Sequence, residues 1–266
     1  MPRIARQSIS ATVHGYSGSL VSSSEVTGDI IADPLPTLFQ AGVLDNLNAI
    51  TGAALAPGGI VQIFGAGFSA VTMQASFNAG RLPISLAGTS VTIGGVEAPL
   101  YFVSPGQINA QVPVELAAGR HSVTVTSRAI ASNAETITLT AAKPGIAALP
   151  GGRAIAQNAA FQLIGTDRPA RAGDYVVIYL TGMGATTPPV ASGAQSPVDP
   201  LARAVRAPQL LLDGKPVEVL FAGLTPGLAG LFQVNFRVPV DQAPGDLKLM
   251  ISQEDAHSNE VILPVG

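Results

Sequence analysis

The sequence predicts an all-β protein of two tandem immunoglobulin-like sandwiches, preceded by an extended N-terminal arm. The 266 residues include 29 glycines and 21 prolines, and the apolar segments are short and rich in β-branched residues. One short stretch occurs twice. Around both copies the chain repeats the same order of predicted strands and turns, in units of about 90 residues, as is typical of immunoglobulin-like folds.

The repeated stretch reads QINAQVP at 107–113 and QVNFRVP at 233–239, so the copies lie 126 positions apart (233 − 107 = 126). Strict alternation predicts a strand with one apolar and one polar face. The proline that ends each copy has no N–H for a ladder, which predicts the end of the strand. The apolar face comprises Ile108, Ala110 and Val112 in the first copy and Val234, Phe236 and Val238 in the second.

The elements on either side of the repeat also correspond. Each unit opens with an apolar strand and continues with a hairpin, for which Gly94-Gly95 and Asp213-Gly214 are the turn residues. The predicted strands of the first unit are 60–64, 91–93, 98–103, 107–112, 122–126 and 135–140; the second unit has 175–179, 210–212, 217–222 and 233–238, and Ser132-Asn133 falls on Ser258-Asn259.

These units define three segments. Residues 1–50 are predicted to be an arm or the end of a preceding domain, with an alternating strand at Ser8 to Val13. Residues 51–142 form the first predicted sandwich and residues 143–266 the second. Two arginines lie in the first six residues, but no apolar segment follows them, so no signal peptide is visible.

Composition excludes several classes of function. Charged residues make up 12% of the chain and the net charge is −3, so no nucleic-acid footprint is present. No apolar run approaches the roughly 18 residues of a membrane helix. Cysteine is absent, which excludes disulfides and thiolate chemistry. So few charges predict apolar strand surface that contacts a partner protein or a second copy of the chain.

No pattern predicts a catalytic, cofactor or metal site. The stretch GAGFSA at 65–70 fits a dinucleotide-binding fingerprint, but no helix pattern follows and the nearest acid, Glu97, is too far away, so a turn is favoured. The three histidines, His14, His121 and His257, lie in separate elements without metal-ligand spacing. A serine-hydrolase elbow is also absent from the sequence.

The polar face of the repeat is the candidate site. One explanation is structural, with amides that bind neighbouring loop backbone and hold the sandwich; the other makes the row an interaction surface. The row consists of Gln107, Asn109 and Gln111 in the first unit and Gln233, Asn235 and Arg237 in the second.

Several stretches resemble known families. PGGIVQIFG at 57–65, with Gly67, is similar to the opening of IPT/TIG-type immunoglobulin-like domains. The span from about Val43 to Gly266 resembles an uncharacterised family of C-terminal domains in acidobacterial secreted proteins. The stretches that carry this second resemblance are VSPGQIN at 103–109, RAIAQN at 153–158, YLTGMG at 179–184, LFQVN at 231–235 and SNEVILPV at 258–265. The resemblance implies an extracellular or cell-surface location and no assigned activity.

The sequence therefore predicts a non-enzymatic structural or adhesive module that binds a protein partner or itself. The alternative is a carbohydrate-binding accessory module of a secreted protein. That alternative is weakened by the absence of tryptophan and by only four tyrosines, since sugars are commonly held on aromatic faces.

Overall fold

The computed structural model describes residues 34–266, and within this range it contains strands, turns and loops but no helix. No helix that could cross a membrane is therefore present in the described part of the chain. The predicted strand at Ser8 to Val13 and His14 lie outside the described residues. The chain is all-β and forms two tandem immunoglobulin-like sandwiches, as the sequence predicts.

The first sandwich has two antiparallel sheets. One has the order β1-β2-β8-β7-β3, and the other the order β10-β9-β5-β4, with β11 on β9 and β6 on β5. The strands are β1 (Thr37–Asp45), β2 (Ile60–Ala66), β3 (Met73–Gln74), β4 (Ser85–Leu86), β5 (Thr89–Ile93), β6 (Val96–Glu97), β7 (Leu100–Val103), β8 (Gln107–Gln111), β9 (Gly119–Ser127), β10 (Ile130–Ala131) and β11 (Glu135–Leu139).

The second sandwich repeats this plan. One sheet has the order β12-β14-β20-β19-β16-β15, with β13 on β14, and the other the order β18-β17-β21-β22, with β23 on β21. The strands are β12 (Gly145–Ile146), β13 (Ala156–Asn158), β14 (Tyr175–Thr181), β15 (Thr186–Thr187), β16 (Arg203–Ala204), β17 (Gln209–Leu212), β18 (Lys215–Val217), β19 (Val219–Leu224), β20 (Phe232–Arg237), β21 (Gly245–Gln253), β22 (Ala256–His257) and β23 (Val261–Val265).

Each sandwich has its own hydrophobic core. The first cluster runs from Leu38 to Leu139 and the second from Ile146 to Val265, with no shared member. The repeated strands β8 and β20 lie centrally, and their apolar faces point inward as predicted. Ile108, Ala110, Val112, Val234, Phe236 and Val238 are all fully buried.

Strand β1 corrects the prediction of an arm over residues 1–50. Asp45 pairs with Val61 and Thr37 pairs with Ala66, so Thr37–Asp45 is an edge strand of the first sandwich. The register shifts between Leu38 and Val43, and Ala41 within that shift has a positive φ of 50°. This bulge breaks the alternation of apolar residues, which is why the pattern does not predict a strand.

The structure confirms the turns of the two predicted hairpins but not their full return strands. The turns at Gly94-Gly95 and Asp213-Gly214 are present, and all four residues have the positive φ of a two-residue hairpin loop. However, only the short strands β6 and β18 return beside β5 and β17. The chain then crosses to the opposite sheet as β7 and β19. A continuous apolar stretch hides this crossing, because both of its halves face the same core.

The two sandwiches contact each other through several hydrogen bonds. Gly193 N of the second sandwich donates to Gln111 Oε1 of the first at 2.7 Å, and Gln111 Nε2 donates to Gly58 O within its own sandwich at 3.2 Å. The loop that carries Gly193 also pairs backbone with the first sandwich, where Leu82 N donates to Gly193 O at 2.8 Å. A third contact joins Thr181 Oγ1 to Asp45 Oδ2 at 2.7 Å.

Candidate functional site

The structure divides the predicted polar row into two roles. Gln107, Asn109, Gln233 and Asn235 lie half-buried on the outward faces of β8 and β20. Gln111 instead is buried at the contact between the sandwiches. Because β8 and β20 hold the same position in their sheets, the four outward amides form two corresponding pairs.

Each pair is joined by the same hydrogen bond. Gln107 Nε2 donates to Asn109 Oδ1 at 2.8 Å, and Gln233 Nε2 donates to Asn235 Oδ1 at 3.1 Å. These bonds link side chain to side chain, whereas the structural explanation expected bonds to loop backbone. Each asparagine NH₂ and each glutamine Oε1 keeps hydrogen-bonding capacity beyond this contact.

Arg237 continues the row on the second sandwich. Its side chain is exposed, its Nε donates to Gly173 O at 3.0 Å, and its guanidinium lies 5.8 Å from the ring centre of Tyr175. A cation at this distance from an aromatic face is attracted by the ring quadrupole. Arg237 and Tyr175 therefore hold each other at the edge of the amide pair.

An aromatic hollow surrounds the second amide pair. It has a volume of about 350 Å³, and its wall includes Phe161, Tyr175, Tyr179 and Leu220 beside Gln233 and Asn235. Tyr179 Oη donates to Gln157 Oε1 at 2.6 Å, and partial burial raises the pKa of Tyr179, so the phenol stays a neutral donor at physiological pH. We call these six residues the aromatic face.

A strained turn presents Phe161. The residue has a positive φ of 58° and its side chain is 78% exposed. Asn158 Oδ1 accepts hydrogen bonds from the N–H groups of Ala160 and Gln162, both at 3.0 Å, which fixes the turn. A bulky residue in this conformation is uncommon, and here the turn holds a large apolar ring in solvent.

A similar hollow borders the first amide pair but differs in one respect. Its volume is about 380 Å³, and Tyr101 and Phe102 lie beside Gln107 and Asn109. The Tyr101 hydroxyl donates to Ala229 O of the second sandwich, and burial raises the pKa of Tyr101 to about 12. The hydroxyl of Tyr101 in the first hollow is therefore already occupied at the contact between the sandwiches.

Sequence analysis did not identify the aromatic residues as part of a site, although the alternation along β14 could have indicated two of them. Tyr175, Val177 and Tyr179 alternate with Val176, Ile178 and Leu180, which are buried in the core. Alternation thus places both tyrosines on the outward face of β14. Since Val177 pairs with Asn235 and Tyr179 with Gln233, the register brings them to the amide pair. The position of Phe161 depends on the turn and has no such signal.

The glycine-rich stretch at 65–70 is a packing feature. A Cβ on Gly65 would overlap the Phe68 ring and Thr37 O, and one on Gly67 would overlap Pro34 O. Phe68 itself is fully buried, and the stretch comprises the end of β2 and the bend that follows it, with no helix. His121 contacts Ala117 O at 2.9 Å through Nε2, far along the chain from His257. The described residues contain no group of acids and histidines that could hold a metal ion.

A third hollow lies between the sandwiches. It measures about 300 Å³ and is mostly apolar, with Val114 and Leu116 on one side and Val190 and Phe232 on the other. The Gln111 amide in its wall already binds Gly58 and Gly193. No charged group other than Arg206 lines it, and Arg206 Nε donates to Glu254 Oε1 at 2.8 Å.

Comparison with known protein families agrees with the immunoglobulin-like fold of the first sandwich. The family model "IPT/TIG domain" matches residues 46–140, which is most of the first sandwich. No curated protein sequence matches the chain.

The solved structures that match the chain share little sequence with it. SGBP-B of the Bacteroides ovatus mixed-linkage glucan utilization locus, in complex with a heptasaccharide, is 10% identical with a TM-score of 0.37 over 93% of this chain and 51% of that one. SGBP-B of a Bacteroides uniformis xyloglucan locus is 13% identical with a TM-score of 0.26, over 87% and 50% respectively. Domains 5–6 of the S-layer protein SbsC are 13% identical with a TM-score of 0.26, over 86% and 98%. The chain thus spans about half the length of both SGBP-B structures, and likenesses this distant carry no argument about function.

Proposed function

We propose that the chain is a non-enzymatic interaction module of an exported or cell-surface protein, and that it binds a protein partner through the aromatic face. The observation that carries this proposal is the presentation of Phe161 by its strained turn, beside Tyr175 and Leu220. All three side chains are exposed. Burying them against a partner would remove a large apolar area from water.

The composition of the face supports a protein partner. Aromatic residues and arginine are enriched at the centres of protein interfaces, and a few of them carry most of the binding free energy. Here Phe161 and Tyr175 supply apolar area, Arg237 frames them, and the Gln233–Asn235 pair can bind backbone groups of the partner. A second copy of the chain is one such partner.

Matched variants test this proposal. We expect Phe161→Ala and Tyr175→Ala each to weaken partner binding by about 30-fold or more, the effect of losing an interface hot spot. Val198→Ala and Val205→Ala are the controls, because these residues are 75% and 59% exposed and do not line the face. Partners are captured from surface extracts and identified by mass spectrometry. The affinity of each identified partner for each variant is then measured by calorimetry. Sedimentation velocity measures self-association of the same variants. Equal binding by the Phe161 variant and the controls would contradict the proposal.

Carbohydrate binding is a second candidate function, and one observation supports it. All three tyrosines of the described residues line the two hollows that hold the amide pairs. Amides beside aromatic rings suit a ligand with hydroxyl groups on an apolar ring. The low aromatic content of the chain is therefore a weaker argument against carbohydrate binding than the sequence alone suggested. A glycan array with the wild type and Tyr175→Ala distinguishes the candidates, since a glycan signal lost in the variant favours carbohydrate.

A further inference from the structure

A separate pocket on the second sandwich contains an arginine with an unsatisfied donor. The pocket has a volume of about 400 Å³ and is walled by Leu149, Ile155, Leu163 and the turn 165–168. Arg153 Nε is buried there and has no hydrogen-bond partner among the described residues. A buried N–H of a charged group without a partner is costly, so such a group calls for an explanation.

The backbone around Arg153 is held firmly. Arg153 forms a parallel bridge with Ile262, where Ala154 N donates to Ile262 O at 2.8 Å and Ile262 N donates to Gly152 O at 2.8 Å. Arg153 O accepts from Leu149 N at 2.8 Å. These bonds fix the backbone position from which the Arg153 side chain enters the pocket wall.

The turn opposite brings a second guanidinium to the pocket. Gly165 and Arg168 exchange hydrogen bonds of 3.0 and 3.1 Å, which closes a tight turn. A Cβ on Gly165 would lie 3.8 Å from Arg153 Nη1, so the Arg153 side chain packs across this turn. Arg168 also lines the pocket and is exposed.

The charges of the pocket favour an anion. Arg153 and Arg168 provide two positive charges, and Asp167 is the only acidic residue in the wall. Guanidinium groups bind carboxylates through paired N–H donors, and they do so most strongly where water is partly excluded. The rest of the wall is mostly apolar and includes Leu149, Ile155 and Leu163. The ligand should therefore combine a carboxylate with a short apolar stem.

We propose that this pocket is a binding site for a carboxylate on a short apolar stem, with the Arg153 guanidinium as a donor to the carboxylate and Arg168 as the second cation. The site is distinct from the aromatic face, and it does not depend on the proposed function. The same chemistry is offered by a free aliphatic carboxylate and by a glutamate side chain in a peptide.

The Nε–H signal of Arg153 gives a direct measurement. In ¹⁵N-labelled protein at constant ionic strength, sodium hexanoate should shift this signal saturably, and hexanamide should bind at least about fivefold more weakly because it lacks the charge. Arg168→Gln should weaken hexanoate binding by about threefold or more, whereas Arg120→Gln on β9 of the first sandwich should not. Arg168 is exposed, so its replacement leaves the fold intact even if Arg153→Gln does not.

A comparison of two peptides distinguishes the two sources of carboxylate. An acetylated Ala-Leu-Glu-Leu-Ala amide is compared with the same peptide carrying Gln in place of Glu. Tighter binding by the Glu peptide than by hexanoate assigns the site to an acidic protein segment, and binding of hexanoate alone assigns it to a free carboxylate. The proposal is overturned if neither carboxylate saturates the signal, if each amide binds as well as its acid, or if Arg168→Gln changes nothing.

Discussion

The side-chain amide of Asn133 binds both backbone groups of Leu38. Leu38 N donates to Asn133 Oδ1 at 2.8 Å, and Asn133 Nδ2 donates to Leu38 O at 3.1 Å. Asn259 repeats this contact with Ile146, at 2.7 and 2.9 Å. Leu38 lies in β1 of one sheet, and Asn133 lies in the connection between β10 and β11 of the other, so the amide joins the two layers of the sandwich.

Loss of this amide should destabilise the first sandwich. Leu38 is buried, so Asn133→Ala leaves its N–H and C=O without partners and should lower the free energy of unfolding by about 1–3 kcal/mol. Asn133→Asp keeps the acceptor but loses the donor, and it should unfold as readily as the alanine variant or more so. Urea unfolding followed by two-dimensional NMR reports each sandwich separately. The exposed Asn78→Ala is the control, and an Asn133→Ala curve that overlays it would refute this role.

The Ser-Asn repeat illustrates how much the sequence could predict. A constant offset placed Ser132-Asn133 on Ser258-Asn259 and so supported the duplication of the unit. Strict alternation likewise predicted the inward faces of β8 and β20. The contact partners could not be predicted, because Leu38 lies in a strand that a bulge at Ala41 conceals, and pairing between distant segments leaves no local pattern.

The candidate site could also be predicted only in part from the sequence. The amides of Gln107, Asn109, Gln233 and Asn235 stand out because they repeat. Gln111 shares their pattern and yet is buried at the contact between the sandwiches, since sequence alternation does not report what covers a face. Phe161 has no counterpart in the other unit, and its exposure depends on the turn around Asn158.

Gln111 should couple the two sandwiches. Its amide binds Gly193 N and Gly58 O, so Gln111→Ala leaves both backbone groups buried without partners and should cost about 1–3 kcal/mol. The sandwiches should also move more independently, because the bond from Gly193 N to Gln111 Oε1 connects them. ¹⁵N relaxation checks this, as the two units would then tumble at different rates. Gln107→Ala is the matched control, since it removes the same side chain from an outward face, and equal effects of both changes would disprove the coupling.

Asp45 predicts a dependence of stability on pH. Burial at the contact with Thr181 raises the pKa of its carboxyl above the usual 3.8, and the hydrogen bonds from Thr181, Leu47 and Asn48 only partly oppose this. The folded state therefore binds the proton more tightly than the unfolded state does. Linkage then makes the contribution of Asp45 favourable below about pH 4, and that contribution is lost as the pH rises through the raised pKa.

The comparison of wild type with Asp45→Asn isolates this effect. Asparagine removes the titration and keeps one acceptor oxygen, so the wild type should lose stability relative to the variant as the pH increases from about 4 to neutrality. Chemical unfolding at several pH values measures the difference, in which other titrating groups cancel. Thr181→Val should enlarge the slope, because it deletes a hydrogen bond that lowers the pKa of Asp45. A difference that does not vary with pH would show that the carboxyl is not perturbed.

Gly182 and Gly214 form a pair that separates backbone strain from steric overlap. Both have a positive φ, +74° and +75°. A Cβ on Gly214 would meet nothing within 4 Å, whereas one on Gly182 would overlap the carbonyl oxygen of Lys143. That carbonyl cannot easily withdraw, because Lys143 N donates to Gly182 O at 2.7 Å.

Alanine at the two glycines should therefore have unequal effects. Gly214→Ala carries only the left-handed backbone cost of about 1–2 kcal/mol. Gly182→Ala carries the same cost and must in addition displace the segment at Lys143 that leads into β12, so we expect it to lower the free energy of unfolding of the second sandwich by at least about 3 kcal/mol. Gly67→Ala should behave like Gly182→Ala in the first sandwich, since its Cβ would overlap Pro34 O. Urea unfolding of the three variants provides the test, and similar values for Gly182 and Gly214 would mean that the Lys143 segment yields without cost.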